Sequence, residues 1–131
     1  MLQAAPWVLA RGNHESCTRA GQGWWRWLDP RPFQSGRDCD SPANDAVGEH
    51  GDPYAVPLGA GAQLIVFDTA NTSYKGLPRT DPRRAVYAES YRKIAALARG
   101  ARYNIGVDHH PLFAFGANRD AKTGEVTLFG G

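Results

Sequence analysis

Gly12-Asn13-His14-Glu15 follows the apolar run Trp7 to Ala10, and Asp108-His109-His110-Pro111 follows another, Tyr103 to Val107. Each cluster combines groups that can hold a metal ion or move a proton. A glycine lets the backbone turn tightly beside a ligand. The Asn13 carbonyl oxygen can face a metal, and a protonated His14 can donate to a leaving-group oxygen. Taken alone, the first cluster is explained equally well by an Asx turn carrying a surface histidine. Adjacent histidines at a strand end point in different directions, so one can ligate a metal while the other faces substrate. Pro111 fixes the turn after them and disfavours helix at His110. The two clusters together favour ligation over a purely structural role.

Three further features invite a chemical reading. Cys17 and Cys39 lie outside any CxxC spacing, so a zinc ribbon or dithiol redox motif is not expected. A disulfide between them is favoured over two free thiols, and would imply an oxidising compartment, secreted or periplasmic. Trp24, Trp25 and Trp27 beside Arg26 can line a cleft through aromatic and cation–π contacts, although a hydrophobic lid on the core is the better expectation. Asp68 ends the run QLIVFD and reads as structural, capping the loop that follows.

The elements that must position these groups alternate. Trp7 to Ala10 reads as a short buried strand between Pro6 and Gly12. A long excursion at about 19–53, rich in Trp, Pro and Gly, leaves the scaffold, with a helical turn expected over Trp24 to Leu28. Tyr54 to Leu58 and Gln63 to Thr69 read as strands joined at Gly59 to Gly61, the second central in its sheet. Asp81 can N-cap a helix with Pro82 in its first turn, and Gly100 ends it. Tyr87, Tyr91, Ile94 and Ala98 should share that helix's buried face. Strands follow at Tyr103 to Val107 and from Val126 to Phe129. In open α/β sheets, sites gather beyond the carboxyl ends of strands. The two polar clusters can therefore meet although roughly a hundred residues separate them.

RGNHE at 11–15 and DHHPLFAFG at 108–116 resemble two motif blocks of the calcineurin-like metallophosphoesterases, nearest to the acid-phosphatase-like branch. The resemblance spans most of residues 7–116, with only those two blocks sharp. It implies an α/β fold, here a partial metallophosphoesterase-type α/β sandwich, forming a single partial domain over residues 1–131. It also implies a phosphoester small-molecule substrate and two divalent metal ions, Fe, Mn or Zn, in the intact family site. By motif, Asn13 and His109 resemble ligands of the second metal. His14 resembles the histidine that contacts the phosphate and protonates the leaving alkoxide. Glu15 is expected to orient His14, and His110 to sit near substrate. Asp108 is expected to accept from a ligand histidine or to serve as a turn residue.

The family also carries an Asp-x-His strand end and a Gly-Asp block before GNHE, and Gly-His-x-His after the H-x-P block. None stands in those places here. Asn13 and His109 alone cannot offset the dehydration of a divalent ion. The chain is therefore expected to be the central section of a longer hydrolase and inactive by itself. A non-catalytic module using the Trp-rich loop, or an incomplete gene product without function, are the alternatives.

Bulk composition adds only bounds. With 131 residues, 42% hydrophobic and 21% charged, the chain suits one globular domain. A net charge of +2 gives no ground for a nucleic-acid partner, and the arginines from Arg79 to Arg102 read as a solvated helix face. No run approaches the roughly 20 apolar residues of a membrane span. MLQAAPWVLA lacks the basic start of a signal peptide.

Overall fold

The computed structural model describes residues 6–33, 39, 49–73, 76–110 and 115–130. It is a mixed α/β arrangement with two small sheets and one main helix. Strands β1 (Tyr54–Gly59), β2 (Ala62–Val66) and β3 (Tyr103–Val107) form a sheet in the order β1-β2-β3. β1 and β2 are an antiparallel hairpin in which Val56 faces Leu64. Its turn runs through three residues at positive φ, Gly59, Ala60 and Gly61. Glycine adopts that region freely, whereas Ala60 costs about 1–2 kcal/mol there.

β2 pairs parallel to β3, with Leu64 opposite Ile105. A parallel neighbour requires a crossover, and the helix lies between the two strands in sequence. A short helix, α1 (Cys17–Ala20), precedes this main helix, α2 (Arg83–Ala98). α2 begins two residues after Asp81, whose carboxylate accepts the Arg83 N–H at 2.9 Å. The N-cap position itself is Pro82, so Asp81 holds the first turn from one residue further out than expected. Past the helix, the Gly100 N–H closes on the Leu97 carbonyl at 2.9 Å. The helix docks on the sheet partly through Gln63, which donates to the Leu97 carbonyl at 2.8 Å and to Asn104 at 2.7 Å.

The buried stripe of α2 differs from the expected one. Tyr87 and Ser90 are buried, whereas Tyr91 is 49% exposed. Helical geometry puts neighbouring positions about 100° apart, so the stripe passes through Ser90 and leaves Tyr91 outside. Ser90 is drawn inward by His50, whose Nε2 lies 2.6 Å from its hydroxyl and whose ring meets Tyr87 edge-on. Burial, with the Asp68 carboxylate nearby, raises the Tyr87 hydroxyl far above its usual range, so it stays protonated.

The expected strand at Trp7 to Ala10 is not one. Among the described residues no backbone hydrogen bond joins residues 6–11 to a neighbouring strand, and Trp7 is 51% exposed. An apolar run becomes a strand only when its N–H and C=O groups find a ladder. Trp24–Leu28 does form the expected turn, as a single π-helical turn. β2 stops at Val66, three residues early, because Asp68 and Thr69 turn their groups to the loop. Strand β5 (Val126–Gly130) pairs antiparallel with β4 (Phe115–Arg119), a strand not anticipated. In the excursion, residues 34–38 and 40–48, including Ser41-Pro42, lie outside the described residues, as does the Pro111 turn. No described helix is long and apolar enough to cross a membrane.

Candidate functional site

Asn13-His14-Glu15 forms a 3₁₀ turn, closed by the Glu15 N–H on the Gly12 carbonyl at 3.1 Å. The Glu15 carboxylate reaches back to the Gly12 N–H at 3.0 Å. Glu15 was expected to orient His14; its carboxylate instead clamps the turn itself. That reciprocal bond satisfies an N–H that the tight turn leaves without a helical partner.

Arg11 drives the turn into place. It is 2% exposed and lies between Glu49 and Asp68, both also buried. Its guanidinium pairs with the Glu49 carboxylate, donates to the Asp68 carboxylate at 3.0 Å and to the Glu49 carbonyl at 3.1 Å. It packs 4.7 Å over the Trp25 ring, and its Nε donates to the Glu15 carbonyl at 3.3 Å. Glu49 also accepts from the Cys17 N–H, and Asp68 from the N–H groups of Gly51 and Ala70 at 2.8 and 2.9 Å. Asp68 is thus structural, as read from the sequence. Glu49, His50 and Gly51, at the end of the excursion, each anchor a different element. They carry no motif, and only their position just before a strand hinted at them.

The disulfide Cys17–Cys39 is formed, with an S–S distance of 2.07 Å. It ties the excursion to the residue two places beyond Glu15. Trp24 and Trp25 are buried at 5% and 3%, as expected of a lid, but Trp27 is 81% exposed.

Asn13 and His109 meet. His109 Nε2 lies 3.0 Å from Asn13 Oδ1 across 96 residues of sequence. An amide oxygen only accepts, so Nε2 carries the hydrogen here. The Gly12 backbone makes the approach possible: a Cβ there would stand 2.7 Å from Glu15 Oε2 and 3.1 Å from His109 Nδ1. His110 lies beside His109 with ring centres 4.7 Å apart and the rings tilted at 55°. Its Nδ1 lies 2.8 Å from both the Thr69 carbonyl and the Thr72 hydroxyl, and its N–H donates to the Thr69 hydroxyl at 3.1 Å. Bonding to a carbonyl makes Nδ1 the donor and leaves the lone pair on Nε2. Thr69 and Thr72 therefore orient His110. Burial raises the Asp108 carboxyl above its ordinary value, while His110 and His109 lower it. His14 turns elsewhere: Arg19 donates to its Nε2 at 2.8 Å. In that arrangement Nε2 accepts and cannot also serve as an acid.

Compared with known proteins, the chain matches no family model, no curated protein and no solved structure. The site's own geometry must carry the reading. Two donors bound at about 2.1 Å and at right angles to one another lie about 3.0 Å apart. The Asn13–His109 separation is that of a hydrogen bond, and it equals the spacing two such ligands would have. Among the described residues no group of three or more His, Cys, Asp or Glu converges on a common point.

Proposed function

We propose that this chain belongs to a calcineurin-like metallophosphoesterase, in a partial α/β sandwich of that type, and supplies half of its site. The reading rests on one observation: the two motif blocks come together, with Asn13 Oδ1 and His109 Nε2 at 3.0 Å. With further ligands from the rest of the parent site, Asn13 and His109 would help hold one divalent ion, Fe, Mn or Zn, once the His109 proton sits on Nδ1 and leaves Nε2 free to ligate. Such an ion, when bound, would supply Lewis-acid polarisation of a phosphate ester. His110, with its Nε2 lone pair, would accept from a substrate hydroxyl. His14 would leave Arg19 and, once protonated, donate to the departing alcohol oxygen. The ligands of the other ion are not supplied by these residues, so the chain alone is proposed to be inactive. The disulfide supports an oxidising compartment, secreted or periplasmic.

Manganese, though only weakly held by two ligands, should broaden the Asn13 side-chain amide and His109 ring resonances before any others, with the effect lost in His109→Ala. Hydrolysis of 4-nitrophenyl phosphate by the chain alone should be undetectable. Broadening that spares Asn13 and His109 would overturn the site. Robust hydrolysis abolished by His14→Ala would overturn the proposed division of ligands.

A second reading, a non-catalytic binding module, draws on the exposed aromatic surface of Trp27, with Leu28 42% and Phe33 44% exposed beside it. Arg26 stacks 5.2 Å over Phe33 on that surface. A module of this kind would bind no manganese at Asn13.

A further inference from the structure

The second motif block ends at Gly116, in the first residues of β4, and the rest of the β4–β5 hairpin borders the same site. Asn118 and Thr127 are cross-strand partners, and they line a groove whose other side is Asn13, Thr72, Ser73 and His110. Neither the Asn118 nor the Thr127 side chain hydrogen-bonds to another described residue, and both are exposed. Every polar group they offer is neutral: an amide with donor and acceptor ends, and a hydroxyl.

We infer that the hairpin forms the subsite for the non-phosphorylated part of the substrate, and that this part is a neutral, hydroxyl-rich group, a sugar or polyol. The inference rests on the phosphoester reading above, since it places the phosphate at the Asn13–His109 end. A hydroxyl-rich group matches the groove because each of its O–H groups both donates and accepts. Asn118 can satisfy two such groups at once, and Thr127, directly opposite it across the ladder, a third. Thr72 is already committed to Thr69 and His110, so it shapes the wall and holds His110 rather than reading the ligand.

The test uses the whole chain with manganese, titrated separately with glucose 6-phosphate, methyl phosphate and glucose while amide and side-chain resonances are followed. Glucose 6-phosphate should perturb Asn13, Asn118 and Thr127 and bind about five- to twentyfold tighter than methyl phosphate, as one or two uncharged hydrogen bonds provide. Asn118→Ala and the isosteric Thr127→Val should each remove about fivefold of that preference and leave methyl phosphate unaffected. Equal binding of both esters, with Asn118 and Thr127 silent, overturns the subsite and leaves the phosphoester reading standing. Glucose perturbing the hairpin while no ester touches Asn13 or His109 keeps the sugar groove and refutes the phosphoester reading. No perturbation by any of the three overturns both.

Discussion

Replacing Arg11 by methionine isolates what holds the NHE turn. The guanidinium pairs with both the Glu49 and Asp68 carboxylates, and all three side chains are almost fully buried. Methionine fills similar volume, so the loss is mainly electrostatic. Two carboxylates would remain in a low-dielectric pocket, each still accepting backbone N–H groups but with no cation between them. Removing one partner of a buried pair typically costs about 3–5 kcal/mol. A domain of this size has on the order of 5–15 kcal/mol in total, so the variant should sit near the edge of folding. Urea unfolding followed by tryptophan fluorescence reads the change directly, since Arg11 lies on Trp25. The triple variant Arg11→Met, Glu49→Gln, Asp68→Asn removes the stranded charges and should recover about half of the loss. A penalty under about 1 kcal/mol in the single variant, or no recovery in the triple, would refute the argument that charge pairing holds this turn.

Three other outcomes follow from the same geometry. Gly12→Ala should push the His109 ring from Asn13, since the new methyl meets Glu15 and His109; manganese broadening at Asn13 should weaken at least severalfold while the fold survives, and unchanged broadening would contradict the close approach. Removing the disulfide with Cys17→Ser and Cys39→Ser should cost about 3 kcal/mol, given a closure of 22 residues. Thermal melting compared with and without reductant checks it, and reductant should change nothing in the double variant. Asp120 is held below its ordinary value of 3.8, first by the Thr123 N–H and then by the Lys122 N–H. Its folded value is depressed, so its contribution is complete above 3.8 and disappears as pH falls through the lower folded value. The Lys122 and Thr123 amides should therefore shift with a midpoint below 3.8; a midpoint at or above it would show that they do not hold the carboxylate.

What was legible in the sequence was whatever local chemistry decides. The β1–β2 hairpin follows from its glycine turn, β2 and β3 from short apolar runs, and α2 from Asp81-Pro82 at its start and Gly100 beyond its end. The illegible parts depend on distant partners. FGANR carries glycine and asparagine and lacks a strand pattern, yet it becomes β4 because β5 offers a ladder. Trp7 to Ala10 has the pattern and no described ladder, so it stays outside the sheets. Burial obeys the same logic at the site. An arginine beside an apolar run reads as exposed until its acids are known, and Glu49 stands 38 residues away in sequence. Asn13 and His109 could be nominated from motif alone, but their contact requires Arg11 to seat one turn and Thr69 to seat the other. The buried ion cluster is thus what turns two remote motifs into one candidate site. For that reason, substitutions at Arg11 and Glu49, which touch no proposed ligand, should loosen manganese binding as well as the fold.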